Sequence, residues 1–160
     1  SSQLENKGFA GAKEDLDFSL LVKDCIKDMG NRFPGRLIES HIEPEIDLQG
    51  DSLLLQILLN NLLENAIKYS PAQSIISVQL KKAGTQVLLE VADQGEGIPD
   101  TEKKKIFERF YRVGNEATRT TKGTGLGLYL CERIAHHHQA TLLVRDNSPK
   151  GSVFRVNFAA

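Results

Sequence analysis

From Ser19 the apolar residues Val22, Cys25, Ile26, Met29 and Phe33 return at helical spacing, which predicts an amphipathic helix with Ser19 as its N-cap. Pro34 and Gly35 stop it. RLIESHI and EIDLQ predict short strands separated by Pro44. Asp51 then caps a long helix, SLLLQILLNNLLENAIKYS, which ends before Pro71. SIISVQL and QVLLEVAD predict two strands joined through Ala83 and Gly84. In PDTEKKKIFERFYRV, Ile106, Phe107, Phe110 and Tyr111 recur at helical spacing behind Pro99 and Asp100. A polar loop, GNEATRTTKG, leads to the alternating glycines of KGTGLGLYL, a helix running from near Leu126 to about His137, and the strands TLLVRD and SVFRVNF.

The last strand alternates: Val153 and Phe154 fall on opposite faces, and Arg155 and Asn157 share a face with Val153. One apolar face and one mixed face suit an antiparallel sheet covered on a single side. Three longer helices are available to cover it. The pattern predicts a two-layer α/β sandwich.

Composition narrows the partners more than the fold. The chain has 160 residues, the size of one domain able to form a core. Twenty basic against twenty-one acidic residues give a net charge of -1, which argues against nucleic acid or an anionic membrane as the main partner. Cys25 and Cys131 lie far apart in helix-like patterns and read as two reduced, largely buried thiols. No apolar stretch approaches a membrane span. The opening SSQLENKGFAGAKED is polar and lacks a signal-peptide core, so residues 1–13 read as a linker or a remnant of something cut away upstream.

Four features carry candidate chemistry. On the long helix Asn61, Asn65 and Lys68 fall within an arc of about 60°. Such a stripe either caps a loop or faces water, or it lines a polar cavity where an amide oxygen ligates a hard cation such as Mg²⁺. In ADQGEGIP, Asp93 ends a strand and Gly95 and Gly97 follow, either as an ordinary turn or as an acceptor for an exocyclic amine beside backbone that a flat ring approaches. In IFERFYR, Phe107 and Phe110 suit a core, whereas Arg112 stands at the edge of a loop with Arg119 and Lys122, which closure over an anion would order. Gly123, Gly125 and Gly127 precede a helix whose free N–H groups favour an anion. They form neither a P-loop nor a dinucleotide fingerprint.

Together the order and types of these motifs resemble the ATP-binding catalytic domain of sensor histidine kinases, in the wider family that includes DNA gyrase, Hsp90 and MutL. The resemblance runs over residues 14–158. NNLLENAIKYSP is similar to the N box, DQGEGIP to the first glycine box, FERFYR to the F box, KGTGLGL to the second glycine box and KGSVF to the closing strand motif. It implies a Bergerat-type ATP-binding fold over residues 14–160: a mixed, mostly antiparallel sheet covered on one face by about three helices, with a lid at about 113–122.

The resemblance also implies roles. Asn65 would ligate Mg²⁺ with Asn61 in support, and Lys68 and Tyr69 would lie near the phosphates and base. Asp93 would bind the adenine amine, with Gly95 and Gly97 giving the ring room and Ile98 beside it. Arg112 would reach the terminal phosphate, and Lys122, Gly123, Thr124, Gly125, Leu126, Gly127 and Leu128 would surround the phosphates. Asn61, Lys68 and Arg112 form the implied catalytic set. In gyrase-like ATPases the residue four before the Mg²⁺ asparagine is a glutamate base. Asn61 stands there instead, and an amide accepts no proton, which favours a histidine kinase over a hydrolase.

The implied reaction is transfer of the γ-phosphoryl group of Mg²⁺-ATP to a histidine on an upstream dimerisation domain, followed by a response regulator. The parent would be a homodimer and a possible membrane-anchored sensor, and this segment a monomeric cytoplasmic domain. His41 is followed by Ile in a strand-like segment and does not match a phosphoacceptor. His136, His137 and His138 either close a helix, whose C-terminus favours cationic or polar groups, or bind a metal. They stand where the family usually continues into two glycines. The alternatives are a nucleotide-clamp ATPase and a non-catalytic nucleotide-sensing module.

Overall fold

The computed structural model describes residues 9, 13–109, 111 and 127–159. Strand β1 (Glu14–Asp17) leads into helix α1 (Phe18–Arg32), followed by β2 (Leu37–Ile42) and β3 (Asp47–Gly50). Helix α2 (Ser52–Lys68) precedes the hairpin of β4 (Ile75–Ala83) and β5 (Gln86–Ala92). Helix α3 (Gly127–His137) precedes β6 (Ala140–Asp146) and β7 (Ser152–Ala159). Five strands form one sheet in the order β2-β4-β5-β7-β6, with β2 parallel to β4 and the other neighbours antiparallel. β1 and β3 form a separate antiparallel pair. This is the expected two-layer sandwich with a mixed, mostly antiparallel sheet.

The core lies between the sheet and the three helices. Val78 faces Val91, Leu80 faces Leu89, and Val91, Leu89 and Val87 face Phe154, Val156 and Phe158 across β5 and β7. All are buried in one cluster with Leu55, Leu58, Leu59, Leu62 and Leu63 of α2. Each such side chain contributes about 1.5–3 kcal/mol by leaving water. Arg155 and Asn157 lie on the opposite face, as their alternation predicts.

Three local expectations need correction. Asp17, not Ser19, caps α1: its Oδ1 accepts from Leu20 N–H at 3.0 Å. Ser19 is buried inside the first turn, where its hydroxyl donates to Glu43 O at 2.6 Å and accepts from Ile46 N–H at 3.0 Å. Residues 14–17, with Glu14 and Asp15 read as polar tail, instead pair with residues 47–50, bringing Leu16 opposite Leu48. The expected helix behind Pro99 is two single 3₁₀ turns, Asp100–Glu102 and Lys105–Phe107. These already bury Ile106 and set Phe107 edge-on to Phe154, and at Glu108 the backbone turns extended. Phe110 lies outside the described residues.

The histidine run closes α3, as one of its two readings expects. Among the described residues no cluster of His, Cys, Asp or Glu could hold a metal ion. His138 Nδ1 donates to Ile134 O at 2.8 Å, which leaves Nε2 to accept from Asp51 N–H at 3.0 Å. One buried, neutral ring thus joins the end of α3 to the N-cap of α2. Burial holds its pKa below the usual 6.5, with the Lys13 charge acting the same way against Asp51. Gln139 follows with φ 52, a left-handed position that glycine fills most easily. Cys25 and Cys131 are buried free thiols, and burial pushes Cys25 up to about 11.

Candidate functional site

Helix α2 is apolar around most of its surface, and its polar stripe is aimed by what fixes its ends. Asp51 Oδ1 accepts from Leu53 and Leu54 N–H, both at 3.1 Å, to start it. At the other end Tyr69 N–H donates to Asn65 O at 3.1 Å. Arg36, which sequence reasoning missed, donates to Ile67 O at 2.9 Å and to Ser70 Oγ at 2.8 Å. A lone arginine after a Pro-Gly turn gives no sequence signal of that role. Asn61 and Asn65 are half-buried, and Lys68 and Tyr69 are exposed. Asn61 Nδ2 donates to Ile57 O at 2.8 Å within its own helix. Asn65 makes no side-chain hydrogen bond to another described residue. Glu64, the nearest acid on the helix, is held by Arg32 at 2.7 Å.

Asp93 lies where β5 ends. Its N–H donates to Ser152 O at 2.9 Å, and its Oδ1 accepts from Gly95 N–H at 2.8 Å. The residue is only 4% exposed. Burial pushes its carboxyl above the usual range, against the pull of the Gly95 and Ser152 backbone amides. An ionised carboxylate has about four lone-pair sites, so acceptor capacity remains for a further donor. Ser152, buried beside it, is a neighbour that sequence reasoning did not single out.

Glycines bring these parts together, with the chain itself filling the nearest space. A Cβ at Gly95 would lie 2.1 Å from Tyr69 O, so the Asp93 loop packs on the backbone that ends α2. A Cβ at Gly127 would lie 3.1 Å from Asn61 Oδ1, so the first residue of α3 abuts the polar stripe. Gly97, at φ +83, sits against Gly151 O. The clearance expected for a ligand at Gly95 and Gly127 thus serves first for close approach of the chain to itself. Ile98 and Leu128 pack against the core. Arg112, Lys122, Gly123, Thr124, Gly125 and Leu126 lie outside the described residues.

The stripe, the buried aspartate and the start of α3 therefore converge. The profile of the family described as histidine kinase-, DNA gyrase B- and HSP90-like ATPase matches residues 50–160, more than half of the chain. The chain belongs to this family. Its relatives in the family include the sensor protein CiaH of Streptococcus pneumoniae, 42% identical over 109 residues, which are 68% of this chain and 24% of that protein. The sensor-like histidine kinase SenX3 of Mycobacterium tuberculosis is 32% identical over 148 residues, 91% of this chain and 36% of that protein. The chain thus spans about a quarter to about a third of these curated relatives' length. Among solved structures the mycobacterial sensor histidine kinase MprB superposes with a TM-score of 0.81 at 28% identity, over 92% of this chain and 97% of that one. Membership implies use of ATP. Among the described residues no helix is long and apolar enough to cross a membrane.

Proposed function

We propose that the chain binds Mg²⁺-ATP and delivers its γ-phosphoryl group to a histidine on a dimerisation domain elsewhere in the parent protein, with a response regulator as the next acceptor. The observation that carries this reading is the surroundings of Asn61. Its amide nitrogen donates to Ile57 O, and the one acid close by on α2, Glu64, is engaged with Arg32. Neither group is placed to take a proton from water, whereas a neutral imidazole acceptor is already a nucleophile. The names of CiaH, SenX3 and MprB support a sensor kinase parent, which would be a homodimer, with this segment monomeric and cytoplasmic.

Asp93 accepts the adenine amine, Gly95 and Gly97 border the ring with Ile98, and Tyr69 closes the base side. Lys68 serves the phosphates, and the family resemblance assigns Arg112 and the segment from Lys122 to Leu128 to the same role. Asn65 fits Mg²⁺: its half-buried amide is unpartnered among the described residues and offers a hard, neutral oxygen. No acidic or histidine cage accompanies it among those residues, which suits an ion that keeps waters and leans on phosphate oxygens. When bound, the ion neutralises charge on the phosphates. The chain's own residues orient the nucleotide, and residues 113–122 are the proposed lid.

ATP labelled at the terminal phosphate tests this, with the chain alone and with the parent's phosphoacceptor hairpin added in trans. Acid-labile, base-stable label on the hairpin, with little free phosphate from the chain alone, is expected. Rapid phosphate release without an acceptor would make the domain a hydrolase instead.

A further inference from the structure

The loop that carries Asp93 is gripped from one side by the turn between β6 and β7. Asn147 Nδ2 donates to Asp93 O at 2.8 Å, joining positions 54 residues apart. The rest of Asn147 holds its own turn: its N–H donates to Gly151 O at 2.9 Å, and its Oδ1 accepts from Ser148 N–H at 2.9 Å. Gly151 has φ +105, and a Cβ there would lie 2.0 Å from Asp93 O, so the turn's backbone rests directly on that carbonyl.

The preceding residue grips the other end of the same segment. Asp146 accepts from Lys103 Nζ at 2.9 Å, and Lys103 also donates to Ile98 O at 2.8 Å and to Asp100 at 2.5 Å. Asp146 and Asn147 therefore fix the chain at Asp93 and again near Ile98. The chemistry at 147 calls for an amide. One atom must accept from Ser148 and another must donate to Asp93 O, and a carboxylate has no donor.

We propose that Asn147 is the positioning residue of the base pocket: it fixes the Asp93 main chain so that the carboxylate meets an exocyclic amine at hydrogen-bond distance. This rests on the role of Asp93 given above. Asn147 acts only through Asp93. Hydrogen bonds weaken steeply with poor distance and angle, so a loosened loop loses recognition of the amine before it loses the ring or the phosphates.

The test compares binding of Mg²⁺-ATP and Mg²⁺-ITP, which differ by a keto group in place of the amine, in the wild-type chain and in Asn147→Asp. The variant keeps the acceptor for Ser148 and loses the donor to Asp93. ATP affinity is expected to fall about 10-fold, the worth of roughly one hydrogen bond, with ITP affinity unchanged. Asn147→Ala is measured alongside, because a carboxylate facing Asp93 O can itself disturb folding, and thermal unfolding without nucleotide reports that. A selective loss for ATP in either folded variant supports the role. Equal losses for both nucleotides, or none, would overturn it while wild type still prefers ATP. A wild-type chain that binds ATP and ITP alike would overturn the Asp93 contact first and this role with it.

Discussion

Glu90 and Asp93 stand close together at the end of one strand, and their surroundings are opposite. Glu90 lies on the outer face of the sheet, where its Oε2 accepts from Arg155 at 2.7 Å and Arg145 at 2.9 Å. Burial pushes its carboxyl up, yet the two guanidiniums hold it below the usual range. Asp93 is buried at the strand's exit and has only backbone amides, so its carboxyl is pushed up. No cation among the described residues contributes to its environment. Burying a charge without a cation is costly. On the outer face Glu90 has its cations in place, whereas on the helix side the Asp93 carboxylate keeps capacity for a donor that a ligand would supply.

The sharpest way to break this contrast is on the helix side. Asn65→Ala should remove Mg²⁺-dependent ATP binding as read by calorimetry, and an unchanged affinity would take that residue out of the site. Asp93→Asn should lower ATP affinity by roughly 10- to 100-fold, the worth of a hydrogen bond to a charged group. Equal affinity would remove the amine contact. Acidification should act more mildly: with its pKa raised, Asp93 takes a proton at higher pH than an ordinary aspartate, so ATP affinity should fall early within the carboxyl range. Glu90 runs the other way. The stability it contributes is full above its ordinary 4.5 and is lost only as pH falls through its lowered pKa. The smallest effect belongs to Glu90→Gln, which should leave ATP affinity unchanged. A double-mutant cycle with Arg155 should show about 1 kcal/mol or less of coupling in thermal or denaturant unfolding.

The folded chain shows which of these groups a sequence can announce. Asp93 was legible because it ends an apolar strand and precedes spaced glycines, and α2 because leucines nearly surround a narrow polar stripe. The strand at residues 14–17 was hidden because Glu-Asp-Leu-Asp has one apolar position, and only pairing with residues 47–50 gives it a partner. The turns at 100–107 misled because residues three apart also align in a 3₁₀ turn, so periodicity alone did not separate it from a helix. Contacts made by single polar atoms across long stretches leave no local trace. His138 on Asp51, Arg36 on the end of α2, and Asn147 on Asp93 are of this kind. For the same reason the clearance at Gly95 had no visible tenant until Tyr69 O was in place.

The hairpin between β4 and β5 has a practical use. Its turn carries Gly84 at φ +63, and a side chain there would meet open space. The seven residues of β5 separate that turn from Asp93 by about 20 Å. A fluorophore on a cysteine placed at residue 85, or a short tag inserted there, should ride on the domain without touching the base pocket. Labelled molecules could then report nucleotide engagement one at a time.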